Sequence, residues 1–125
     1  MNVYYRNMNL WHVSYAAFGN DDNPDKVDYL RARRYPVLPG KRFADTEVGK
    51  SFEDTGLFEP GKKYHMIFIK KGDMLYMKVE GEGVVKYYNW DFSDHPSIEK
   101  GRIGLRHMWT RCSKYANFSV SELGE

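Results

Sequence analysis

Tyr64-His65-Met66-Ile67-Phe68-Ile69-Lys70-Lys71-Gly72-Asp73-Met74-Leu75-Tyr76-Met77-Lys78-Val79-Glu80 is the stretch that decides the fold. Its first half is apolar on both alternating faces. Tyr64, Met66 and Phe68 oppose His65, Ile67 and Ile69, the pattern of a central strand covered on both sides. Lys71-Gly72-Asp73 supplies a short glycine-containing turn, and residues 74–80 return as a second strand, which makes a β-hairpin. Gly81-Glu82-Gly83 is another turn, and residues 84–92 extend the meander.

The same alternation recurs outward from this hairpin. In residues 10–17, Trp11, Val13, Tyr15 and Ala17 share one face, and His12 and Ser14 share the other. Residues 101–109 and 114–123 read as two further strands. In the last, Ala116, Phe118 and Val120 point one way and Asn117, Ser119 and Ser121 the other. Residues 26–34 carry the only weak helical signal, bracketed by Pro24 and Pro36. The expectation is an all-β domain of two antiparallel sheets packed face to face, with helix nearly absent. Ile67, Ile69, Leu105, Phe118 and Val120 are expected in its core. Residues 19–61 read as a long irregular segment holding four of the five prolines, the kind of segment that forms a lid or lines a cleft.

Composition narrows the function classes. The 125 residues amount to one domain at most, or to the C-terminal part of one. Nineteen basic against seventeen acidic residues leave a formal charge of +2, too little for a nucleic-acid binder. No apolar run is long enough to span a membrane. Cys112 stands alone, so no intrachain disulfide forms. The first residues lack a signal-peptide pattern, which places the protein in the cytoplasm if Met1 is the native start. Aromatic residues reach 16%. Tyr and Trp suit both a pleated core and the stacking of sugar rings.

Two stretches are similar to a known family. One is residues 64–81. The other is Gly101-Arg102-Ile103-Gly104-Leu105-Arg106-His107-Met108, leading to Tyr115-Ala116-Asn117-Phe118-Ser119-Val120. Together they resemble the C-terminal part of concanavalin-A-like lectin and glucanase domains, and within that superfamily the YesU-like proteins, a domain of unknown function. Asp28-Tyr29-Leu30-Arg31-Ala32-Arg33-Arg34-Tyr35-Pro36 fits the same family. The resemblance implies a jelly-roll sandwich, incomplete within this chain, and a role with pectin- or rhamnogalacturonan-like polysaccharide.

Arg31, Arg33 and Arg34 form the densest charge cluster. Guanidinium forks bind carboxylates in a bidentate way, so a uronic-acid sugar is a sensible ligand. Pairing with Asp25 and Asp28 is the plainer alternative. Arg106, His107, Trp109 and Arg111 form a second cluster, with Arg106 on the opposite strand face from His107 and Trp109. His107 is the one weak candidate for a catalytic acid or base. With His12, these residues are the expected carbohydrate-binding set. A glycosidase would need two carboxylates about 5–9.5 Å apart. Glu80 and Glu82 sit at a turn, and Glu53, Asp54 and Glu59 read as loop, so no such pair is evident and an enzymatic role is left open. No cofactor is called for. Asn20-Asp21-Asp22-Asn23-Pro24-Asp25 is oxygen-rich enough for calcium, but it lacks the EF-hand glycine and distant Glu, and turn chemistry explains it. The expected partners are an oligosaccharide and a second chain, either another copy or a separate chain completing the sandwich. A lectin-like scaffold serving only assembly is the alternative function.

Overall fold

The computed structural model describes residues 8–16, 28–59, 61–105 and 115–121. It contains β1 (Leu10–Ala16), β2 (Tyr29–Tyr35), β3 (Glu47–Glu53), β4 (His65–Lys71), β5 (Met74–Gly81) and β6 (Val84–Asp91). Among the described residues the only helix is a single 3₁₀ turn, Phe43–Thr46. The chain is all-β, as the alternation predicts. Its strands make two three-stranded antiparallel sheets, ordered β1-β2-β3 and β4-β5-β6.

Within each sheet, consecutive strands are neighbours. Two-residue turns at Gly72–Asp73 and Glu82–Gly83 close β4-β5-β6 with unbroken registers, Lys71 opposite Met74 and Gly81 opposite Val84. Gly81 has no room for a side chain. A Cβ there would meet the Lys63 carbonyl oxygen at 2.4 Å. In the other sheet β1 and β2 also pair without interruption. Between β2 and β3 the register shifts, from Leu30 opposite Phe52 to Ala32 opposite Val48. Gly49 lies in that bulge with φ +65, which a side chain rarely adopts.

The two sheets share one core. Leu30, Ala32 and Val48 come from one sheet, and Leu75, Met77, Val79 and Trp90 from the other. Leu57 and Phe92 from the connections complete it. Trp11 stacks on Phe92 with ring centroids 4.0 Å apart, and Phe52 packs on Tyr88 and Trp90. Trp11, Val13 and Tyr15 face this core, as their spacing predicts. The connection after β3 is fastened by Asp28. Its carboxylate accepts from the Thr55 amide and hydroxyl, both at 2.6 Å, and from the Gly56 amide at 2.9 Å.

Several expectations are corrected. Ile67 and Ile69 are exposed, because β4 is an edge strand among the described residues and none of the other described strands lies over its outer face. Leu105, Phe118 and Val120 are exposed too. Residues 101–105 and 115–121 form no strand, and Asn117 takes φ 57, which interrupts the extended alternation read there. Residues 26–34 are not helical where described, since β2 begins at Tyr29. Residues 19–61 are not one irregular segment, because they contain β2 and β3. Glu53 belongs to β3 and not to a loop.

Candidate functional site

Antiparallel pairing decides which polar residues meet. In β1 and β2, His12 lies opposite Arg33, and Ser14 opposite Arg31. Residues directly opposite share a face, and so do residues two apart on one strand. Leu30 and Ala32 occupy the core face, so Tyr29, Arg31 and Arg33 occupy the outer one with His12 and Ser14. On β3, Glu47 lies opposite Arg33 and Glu53 opposite Tyr29. The outer face of β1-β2-β3 is thus the polar one, and it brings together three of the expected site residues: His12, Arg31 and Arg33.

Two like charges alternate on one strand, a destabilising arrangement unless something offsets it. Each guanidinium has an aromatic face beneath it. Arg31 lies 4.9 Å from the Tyr29 ring centroid, and Arg33 4.4 Å from that of Phe43. Arg31 Nε donates to Ser51 Oγ at 3.1 Å, and Ser51 Oγ donates to Glu47 Oε1 at 2.9 Å. Arg33 donates to Thr46 Oγ1 at 3.1 Å, and Thr46 in turn donates to the Phe43 carbonyl. Tyr35 packs near both His12 and Phe43. Among the described residues neither Arg31 nor Arg33 forms a salt bridge. Asp28, the suggested partner, is committed to Thr55 and Gly56. Burial, and then the charge of Arg31, lower the Arg33 pKa. The charge of Glu47, opposite Arg33, acts the other way, so the pair has a carboxylate nearby on the same face but none in salt-bridge contact among the described residues.

Arg34 does not join this face. It is buried on the core side, opposite Trp11. Its Nε donates to the Pro96 carbonyl at 2.8 Å, and another guanidinium nitrogen donates to the Tyr35 carbonyl. It ties the segment after β6 to β2, and burial lowers its pKa. Arg106, His107 and Trp109 lie outside the described residues, as do Cys112 and the oxygen-rich segment 20–25. Among the described residues no cluster of His, Cys, Asp or Glu could hold a metal ion, and no helix is long and apolar enough to cross a membrane.

Tyr29, Phe43, Glu47 and Ser51 were not singled out in the sequence. Phe43 and Thr46 arrive through the 3₁₀ turn, and Glu47 and Ser51 through a bulged strand. Only the sheet register places them beside the arginines. Comparison of the chain with family models, with curated proteins and with solved structures finds no match in any of the three.

Proposed function

We propose that the chain is a carbohydrate-binding protein of the concanavalin-A-like jelly-roll type, similar to the YesU-like proteins, which takes an acidic oligosaccharide on the outer face of β1-β2-β3. One observation carries this reading: two guanidiniums stand side by side on that face, each over an aromatic ring, with no carboxylate of the described residues paired to either. Their free donors suit the carboxylate of a uronic acid. His12 and the Ser14 hydroxyl lie across the strand pair as further polar contacts. Tyr29 and Phe43 hold the two guanidiniums in place from beneath.

Binding is favoured over hydrolysis. Glu47 and Glu53 share the outer face, but they lie opposite Arg33 and Tyr29, four residues apart at about 3.3 Å each, a backbone span of roughly 13 Å. A glycosidase pair sits within about 9.5 Å. The alternative, a lectin-like scaffold used only for assembly, has no need of unpaired arginines.

Isothermal titration calorimetry distinguishes the two. An oligogalacturonate should bind, more weakly as salt rises, while a neutral oligosaccharide of equal length should not. Arg33→Ala should weaken acidic-sugar binding by about 10- to 100-fold, the range for a lost hydrogen bond to a charged group. Equal affinity for the neutral sugar, or no binding of either, would refute the proposal.

A further inference from the structure

Glu47 and Ser51 meet because β3 is bulged. Four residues of regular strand would set them roughly 13 Å apart. Here a two-residue step on β2, from Leu30 to Ala32, matches a four-residue step on β3, from Phe52 to Val48. Gly49 takes up the surplus at φ +65. The slack brings the Ser51 hydroxyl within 2.9 Å of Glu47 Oε1, to which it donates. The same hydroxyl oxygen accepts from Arg31 Nε at 3.1 Å. One neutral group thus stands between a cation and an anion and bonds to both.

This bridge decides how Glu47 is used. Glu47 lies opposite Arg33, on the outer face that also carries Arg31. Burial and the charge of Arg31 lower the Arg33 pKa, and the charge of Glu47 acts against them. Yet among the described residues Glu47 makes no salt bridge with either guanidinium. Glu53, the other carboxylate that β3 places on this face, lies opposite Tyr29. An exposed carboxylate and guanidinium attract each other weakly, because water screens them and two long side chains must be held still. Two hydrogen bonds through Ser51, each to a charged group, outweigh that contact. A hydroxyl accepts from Arg31 and donates to Glu47 at once, which a methyl group cannot do.

We propose that Ser51 is a positioning residue of this face: by bridging Arg31 and Glu47 it keeps the Glu47 carboxylate from closing onto the guanidiniums, and so keeps them open to a carboxylate brought by a ligand. Glu47 is then a built-in competitor, held back by one hydroxyl. The role rests on the reading that the face takes an acidic oligosaccharide. Without the bridge, Arg31 and Glu47 each lose a partner while carrying opposite charges on one face. They close on each other or on Arg33, and an incoming carboxylate has to displace Glu47.

Two measurements test the role. In calorimetry, Ser51→Ala should bind an oligogalacturonate about two- to fivefold more weakly than the wild type, the range that an exposed ion pair supplies. Glu47→Gln keeps an acceptor for Ser51 but no charge, and should bind at least as tightly as the wild type. Ser51→Ala combined with Glu47→Gln should match Glu47→Gln alone, because no competitor is left to release. The second measurement needs no ligand. In a crystal structure of Ser51→Ala, the Glu47 carboxylate should lie within about 4 Å of a guanidinium nitrogen of Arg31 or Arg33. An unchanged affinity in Ser51→Ala overturns the role. So does an equal loss in the Glu47→Gln background, which would mean that Ser51 touches the ligand or merely shapes the strand. A carboxylate that stays apart from both guanidiniums overturns this role alone and leaves sugar binding standing. No binding by any of the chains refutes the acidic-ligand reading, and the role with it.

Discussion

Adjacent residues of β2 do opposite work. Arg33 faces outward and forms no salt bridge among the described residues, while Arg34 faces inward and satisfies two carbonyls. Substitutions should separate the two. Arg33→Lys keeps the charge but loses the planar fork, so acidic-sugar affinity should fall in calorimetry while the chemical-denaturation midpoint stays put. Arg34→Met should do the reverse. It leaves the Pro96 and Tyr35 carbonyls without that donor and should cost about 1–3 kcal/mol of stability, with ligand affinity unchanged. The sequence reveals the cluster because three arginines in four positions stand out. It does not reveal the division, which depends on whether residues 29–35 form a strand. Their weak helical pattern, and the charge of Arg34 at an inward position, obscure the period of two.

Strands form where side chains alternate, but burial depends on what lies over them. The sequence of β4 predicts an apolar strand correctly and a central one wrongly, since sheet order is set by partners distant in sequence. Likewise Phe118 sits in an alternating segment yet is 55% exposed. Phe118→Ala should therefore cost below about 1 kcal/mol, whereas Leu30→Ala, at a fully buried position, should cost about 2–5 kcal/mol. Urea unfolding of both variants checks the contrast. The pairing of β4 with β5 has its own signature. The hydrogen bond from His65, and then the charge of Lys78, hold the Glu80 carboxyl below its ordinary value of 4.5. A folded value below the unfolded one contributes stability at pH above the ordinary value, and that contribution is lost as pH falls through the folded one. Glu80 is exposed, so the effect on stability is small, but NMR titration should find its midpoint depressed. In His65→Ala it should return toward 4.5.

At the scale of the molecule, both sheets come from local meanders, and the core is where they meet. That much of the fold follows from the short turns and apolar alternation of residues 64–92. The upper sheet is harder to read, because β3 is interrupted by Gly49 and β2 is dominated by charge. The outer surfaces of the two sheets differ in kind. One presents paired guanidiniums over aromatic rings, the other isoleucine and tyrosine.

The order of the strands has one more consequence. No strand of either sheet is threaded between strands of the other. A single cut in the connection between β3 and β4 therefore severs no sheet pairing. Each piece keeps its own backbone ladder, and the two are joined by the packing of Leu30, Ala32 and Val48 against Leu75, Met77, Val79 and Trp90 and by side-chain hydrogen bonds from Arg34 to the Pro96 carbonyl and from Lys86 to the Thr55 carbonyl. Fragments 1–60 and 61–125, produced separately and mixed, should reassemble into the native pair. Recovery of the intact chain's near-ultraviolet circular dichroism, which Trp11, Trp90 and Phe92 dominate once packed, measures it. Leu30→Ala in the first fragment should weaken the complementation, because the core of the joint is apolar and no strand is shared across it.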